Sequence, residues 1–318
     1  MSIEHNEHYI KMKAIQYNSF GDSNVIELVE VPTPELTNNH DVLIKVKAAS
    51  VNPLDMKIRM GYMQKMRPVQ LPFYPGLDAS GIVEAVGSEV TKFKVGDEVI
   101  AVTMEKAYAE YVLANEHFVF FKPSTISFEE ATSLGVNIGT AETILFKEGH
   151  LQEGQKVLIH GAAGAAGATM VQMAKHRGIY VIATATGAGI DLVKELGADE
   201  VYDYKTNEVF EKVKHVDLVA DCAGGESQNQ LFGLILSGGK LLSIAGMPSV
   251  DLAKEHNIDA RFISSDLSAK NSENGLSMVK EGTLKPIVKR TFPLEEAAKA
   301  QDFLSAGGVH GKVVLVME

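Results

Sequence analysis

The chain has almost no cysteine. With Cys222 as the single thiol among 318 residues, an intrachain disulfide is excluded, and so is any zinc site built from several cysteines. Tryptophan is absent, and no apolar run approaches the ~20 residues that cross a bilayer, so no membrane role is expected. Positive charge is also scarce. Thirty Lys and Arg stand against 41 Asp and Glu, a net charge of −11 that disfavours nucleic-acid backbones and anionic lipid surfaces as partners. No charged-then-apolar leader opens the sequence, which makes the cytoplasm the expected compartment. Residues Met1 to Ile10 read as a polar, frayed tail, and its His5 and His8 lack a preset metal-binding geometry.

What is present is an ordinary globular composition, 45% hydrophobic and 22% charged, over a length that favours two domains and hence a cleft. From Met12 to about Lys122, short alternating or β-branched runs such as Val42 to Ala48, Gly81 to Val86 and Glu98 to Val102 are separated by turn residues. That is a β-rich unit. Ser127 followed by Glu130 resembles a capping box opening a helix. Beyond Gly154 the pattern alternates. Lys156 to His160, Tyr180 to Thr184, Leu218 to Asp221 and Lys240 to Ile244 read as apolar strands. Helix-length segments lie between them, at Ala168 to Arg177, Ile190 to Leu196 and Gln228 to Leu236. Strands apolar on both faces and joined by helices predict a parallel sheet covered on both sides. A further helix is predicted over Leu294 to Leu304, and the strand Lys312 to Met317 is expected to rejoin the β-rich unit.

The segment Gly161-Ala-Ala-Gly164-Ala-Ala-Gly167 lies between the first of these strands and its helix. Residues this small leave no bulk between backbone and ligand, so a pyrophosphate can approach the amide N–H groups at the positive end of the helix. The spacing departs from the common G-x-G-x-x-G, but the strand, turn and helix context is that of a dinucleotide site. At the end of the second strand, where NAD-preferring sites hold an acidic residue, this chain reads Ala183-Thr-Ala-Thr-Gly187. With no carboxylate there, NADPH is the expected cofactor.

These features, with Ser50-Val-Asn-Pro-Leu-Asp55, Tyr74-Pro-Gly-Leu-Asp-Ala-Ser-Gly81, Phe93-Lys-Val-Gly-Asp-Glu-Val99, Gly139-Thr-Ala141, Asp203-Tyr204, Asp221-Cys-Ala-Gly-Gly225 and Gly311-Lys-Val-Val-Leu315, resemble the quinone oxidoreductase branch of the medium-chain dehydrogenase/reductase superfamily. The resemblance implies an α/β chain with a GroES-like β-rich catalytic domain, residues 1–134 completed by 268–318. It sits beside a doubly wound Rossmann domain, residues 135–267. Homodimerisation is implied in the same way. Asn52 would face nicotinamide and substrate, and Thr140 the nicotinamide side. Gly161, Ala163, Gly164, Ala165, Ala166 and Gly167 would cradle the phosphates. Thr184 or Thr186 with Tyr204 would border a 2′-phosphate, while Ala223, Ala245 and Lys312 would line the cofactor path. Zinc-dependent members place a cysteine near Asn52 and Gly-His-Glu near Gly76-Leu77-Asp78; neither ligand is present here.

The resulting expectation is hydride transfer from NADPH to a quinone or related electron-poor acceptor, with no metal and with an apolar cleft supplying orientation. Asn52 and Tyr62 are the candidate catalytic residues. Asn52 before Pro53 also fits a plain turn, and Tyr62 also fits pocket lining. Asp55 and Arg59, at i and i+4, read equally well as a helical ion pair. Cys222, His160 and Tyr108 read as packing residues. The competing functions are a reductase of enoyl or 2-alkenal double bonds and, from another class, a catalytically weak NADPH-binding sensor or RNA-binding protein.

Overall fold

The computed structural model describes residues 11–318. The amino-terminal histidine pair, His5 and His8, lies outside the described residues. Strands β1 (Lys11–Gln16) and β2 (Glu27–Pro32) form an antiparallel pair. The β-rich unit follows with β3 (Asp41–Val51), helix α1 (Pro53–Arg59), β4 (Asp78–Val86), β5 (Glu98–Val102), β6 (Tyr111–Asn115) and β7 (Val119–Phe121).

Helices α2 (Phe128–Thr132) and α3 (Gly135–Glu142) lead out of it. The expected capping box at α2 is formed: Ser127 Oγ accepts from Glu130 N–H, and the Glu130 carboxylate accepts from Ser127 N–H.

Alternation then sets in, with β8 (Lys156–His160), α4 (Ala165–His176), β9 (Tyr180–Ala185), α5 (Ala188–Glu195), β10 (Glu200–Asp203), α6 (Glu208–Lys212), β11 (Val216–Asp221), α7 (Gln228–Leu231), β12 (Ile235–Ser243), α8 (Val250–Glu255) and β13 (Asp259–Phe262). All six strands run parallel, in the order β10-β9-β8-β11-β12-β13. Numbered within the sheet this is 3-2-1-4-5-6, the doubly wound arrangement, and its direction of winding reverses between β8 and β11. The carboxyl ends of those two strands therefore open a crevice.

Helix α9 (Ala269–Lys280) packs on α3 through Gly275, where a Cβ would fall 2.4 Å from Ile138 Cγ2. The chain returns through β14 (Val288–Pro293), α10 (Ala297–Ser305) and β15 (Lys312–Val316). Strand β15 pairs antiparallel with β3, so the carboxyl terminus completes a sheet of order β14-β15-β3-β4-β5-β7, with β6 also on β3.

The sequence reading differs from this fold in several places, and it left helices α6, α8 and α9 and strand β14 unread. The first and second helix-length segments begin earlier than expected, at Ala165 and Ala188, because each starts directly on a glycine, Gly164 and Gly187. The segment Gln228 to Leu236 is helical only to Leu234, and Ile235 and Leu236 open β12. Strands β10 and β13 went unread. Both are four-residue edge strands with few buried residues, so neither carries an apolar run.

Candidate active site

Asn52 closes β3 and precedes α1, with Pro53 at the first helical position, where its missing N–H costs nothing. The Asp55 carboxylate caps the helix by accepting from the Asn52 backbone N–H at 2.8 Å. Asn52 is thus held extended, and its own amide is turned elsewhere. Its Nδ2 donates to Asp78 Oδ1 (3.1 Å) and Ser50 Oγ (3.2 Å), while its Oδ1 accepts from Lys312 Nζ at 2.5 Å. Ser50 also donates to Asp78 Oδ1, and the Val136 N–H of α3 to Asp78 Oδ2. Tyr108 Oη donates to Asp55 Oδ2 at 2.8 Å.

Every member of this cluster is buried. Burial pushes the Asp55 carboxyl up to about 6 and raises Asp78 as well; it lowers the Lys312 ammonium, against the pull of Asp78 and Asp55. Two carboxylates and one ammonium share a dry space at the junction of β3, β4 and β15.

Two sequence readings are corrected here. Asp55 and Arg59 do not form the i, i+4 pair: Asp55 faces Asn52 and Tyr108, whereas Arg59 donates to Gln301 Oε1 (2.8 Å) and the Gly21 carbonyl (2.6 Å). Tyr108 is not mere packing, because its hydroxyl completes the Asp55 shell.

The glycine segment divides into a turn and a first helical turn. Gly161 leaves β8 at φ +84°, Gly164 N–H closes the turn onto the Gly161 carbonyl, and Gly164 caps α4 with no side chain on its first N–H groups. Those amides and the dipole of a twelve-residue helix face one spot. Bulk is excluded around it. A Cβ on Gly167 would sit 2.5 Å from the Gly161 oxygen and 2.7 Å from Ala162 Cα, and one on Gly161 would meet the Ala223 methyl at 3.2 Å. The cradle therefore fits a phosphate-bearing group approached by backbone alone. Asp221 shapes its far wall by accepting from the N–H groups of Ala223 (3.1 Å) and Gly224 (2.8 Å).

The two halves of the site touch. Gly311 N–H donates to the Ala163 carbonyl and Gly311 bridges Gly164, which sets Lys312 one residue from the turn. Lys57 Nζ reaches from α1 to the Ala245 carbonyl at 3.3 Å. Thr140 is buried on α3 and donates back to the Val136 carbonyl.

At the end of β9, Thr184 is fully buried; its hydroxyl pairs with His160 Nδ1 and accepts from Gly161 N–H, so it braces the turn from within. His160, read as packing, is a bridging residue that also contacts Ser227 Oγ. Thr186 is half-buried and Tyr204 exposed beside it, and Tyr62, 70% exposed, follows α1 on a turn without a hydrogen bond to the Asn52 cluster. Sequence reasoning missed Asp78 as a charged group, together with Asp221 and Ser50. Their signal was a polar residue within or at the end of an otherwise apolar strand: Ser50 inside β3, Asp78 opening β4 and Asp221 closing β11.

Residues 38–156 match the alcohol dehydrogenase GroES-like domain model and residues 196–315 a model described as zinc-binding dehydrogenase. The quinone oxidoreductases of Lama guanicoe and Mus musculus are each 33% identical to this chain over 329 residues, covering 96% of it and 98% of theirs. The solved quinone oxidoreductase of Coxiella burnetii superposes with a TM-score of 0.88 at 32% identity, over 97% of this chain and 100% of that one.

Proposed function

The chain belongs to the quinone oxidoreductase branch of the medium-chain dehydrogenase/reductase superfamily, and on that premise we propose that this oxidoreductase passes hydride from NADPH to a quinone or related electron-poor acceptor. One observation carries the reading: the uncapped glycine turn at the β8–β11 switch point lies one residue away from a buried polar cluster on the other sheet. A phosphate cradle and a reactive end are thereby joined across one cleft.

Bound there, reduced nicotinamide supplies a hydride from its C4. The chain supplies position. Gly161, Ala163, Gly164 and the first turn Ala165 to Gly167 would hold the pyrophosphate through amides. Ala223 and Ala245 leave passage for the ribose. Thr186 and Tyr204, with Thr184 behind them, border the adenosine end; β9 itself ends without a carboxylate, and Asp203, opposite Ala185 on β10, accepts from the Lys205 N–H. Asn52 and Thr140 line the nicotinamide end, and Tyr62 stands at the acceptor's entrance. In this reading residues 1–134 and 268–318 serve the acceptor, residues 135–267 serve the nucleotide, and the enzyme works as a cytoplasmic homodimer.

The test is steady-state oxidation of NADPH and NADH with naphthoquinones and with 2-alkenals, beside calorimetric titration of both nucleotides. Tighter NADPH binding and turnover of naphthoquinones are expected. Turnover confined to 2-alkenals would move the assignment to an activated-alkene reductase. Absence of turnover with both classes would overturn hydride transfer.

A further inference from the structure

Lys312 carries hydrogen-bonding capacity that the protein does not use. An ammonium has three N–H donors. One goes to Asn52 Oδ1, and among the described residues no second acceptor receives from it, although the side chain is only 4% exposed. The neighbouring carboxylates are spoken for: Asp78 accepts from Ser50, Asn52 and Val136, and Asp55 from Asn52 N–H and Tyr108. They hold the positive charge in place without saturating it. A buried cation with donors left open is costly, and a fold that retains one at a cleft has a use for an acceptor from outside. The position is fixed from both sides. Asn52 is anchored by Asp78 and Ser50, and Gly311 is anchored to the glycine turn.

We propose that Lys312 Nζ donates a hydrogen bond to the carbonyl oxygen of the acceptor and stabilises the negative charge gathering there as hydride arrives. This rests on the hydride-transfer reading above and narrows the acceptor to compounds whose electrophilic carbon is conjugated with a carbonyl. The electron pair and one hydrogen come from the reduced nicotinamide. A C–H bond forms on the acceptor, its π pair moves to the oxygen, and water supplies the proton that completes an enol; with a quinone, the enol then loses a proton from the new sp3 carbon and gains one from water on its second oxygen, giving the hydroquinone. Lys312 keeps its own proton throughout, acting as a preorganised donor of the oxyanion-hole kind.

The experiment compares wild type with Lys312→Met and Lys312→Arg in the full-length protein. Its first readout needs no turnover: 4-nitrophenol is titrated onto each protein, with and without NADP+, and the phenolate absorption is followed against pH. Wild type is expected to lower the apparent pKa of the bound phenol, and Lys312→Met to abolish that shift. Removal of one such donor costs about 10²–10³ in rate, so kcat/KM with 2-alkenals should fall by that factor. The loss should be smaller with naphthoquinones, which need less stabilisation, and NADP+ affinity, to which a residue lining the cofactor path also contributes, should fall by a smaller factor than kcat/KM. A phenolate shift surviving in Lys312→Met would overturn the proposal. So would a loss of NADP+ affinity as large as the loss of rate, since the ammonium would then serve the cofactor. Should Lys312→Met fail to fold, Asp78→Asn with Lys312→Met, read against Asp78→Asn alone, decides by the same criteria. A wild type with a phenolate shift but no turnover would sink the hydride-transfer reading and leave the Lys312 donor standing.

Discussion

The two walls of the cleft recognise ligands by opposite means. On the parallel sheet, the contact surface is made of what side chains leave out: Gly161, Gly164 and Gly167 expose backbone dipoles, and the carboxylate of Asp221 is consumed in bracing its own loop. On the β-rich side the contact surface is made of charges that have been taken out of water, Asp55, Asp78 and Lys312. The first wall is rigid because at Gly167 nothing larger than hydrogen fits. The second is rigid because every charge but one has its partners. A cradle of the first kind tolerates no added atom at Gly167, whereas a cluster of the second kind responds first to a change of charge.

The largest effect expected from this contrast is at Gly167. Valine there would drive its Cβ to within 2.5 Å of the Gly161 oxygen, a backbone atom that cannot turn aside. The expected result is a loss of NADP+ affinity exceeding about 100-fold, or ~2.7 kcal/mol, and destabilisation of about 1–3 kcal/mol. Gly233 is the control, since a Cβ there meets nothing within 4 Å; Gly233→Ala should leave both quantities unchanged. Calorimetry with NADP+ and thermal unfolding measure the pair, and near-wild-type binding by Gly167→Val would show that the cradle is not backbone-limited.

The same contrast explains what could be read from sequence. Strands β8, β9 and β11 are buried on both faces, so their apolar runs and the glycines after them announced the sheet and its cradle. Edge strands β10 and β13 bury little and left no such mark. In the β-rich unit the runs were visible too, but the charged cluster was not. Asp78 and Lys312 are 234 residues apart in sequence and meet only because β15 pairs with β3. No periodicity encodes that encounter. Asn52 was legible as a motif, yet the partners that commit both ends of its amide were not.

The next effect down is electrostatic, at Asp55. Burial raises its carboxyl to about 6 from an ordinary 3.8. The folded state thus favours the protonated form. Its stability contribution is complete below about pH 4 and is lost as pH rises through 6. Asp55→Asn imitates the neutral carboxyl and escapes that loss. Between pH 4 and pH 8 the stability of Asp55→Asn relative to wild type should therefore improve by about 3 kcal/mol, from two pKa units at ~1.4 kcal/mol each. Urea unfolding at the two pH values checks this. A relative decline of the variant would mean that the hydrogen bonds from Asn52 N–H and Tyr108, with the Lys312 charge behind them, outweigh desolvation.

Smaller still is nucleotide choice. Thr186→Asp places a carboxylate at the end of β9, where a ribose 2′-hydroxyl is welcomed and a 2′-phosphate repelled. NADPH should bind about tenfold more weakly, ~1.4 kcal/mol, with NADH unchanged or improved; equal losses for both would remove this strand end from the adenosine site.

The smallest change is expected at Tyr62, and it separates the two walls from their rim. The side chain is 70% exposed and is tied to neither the glycine cradle nor the buried cluster. A hydroxyl in water has little to contribute to a charge developing in a dry site, because its own dipole is already solvated and screened. Tyr62→Phe should therefore alter acceptor KM and kcat by about twofold at most and stability by no more than ~0.5 kcal/mol, as for surface positions generally. A loss of kcat beyond tenfold, with KM unchanged, would carry the opposite lesson: that the turn after α1 folds over the acceptor during turnover and makes Tyr62 part of the catalytic wall.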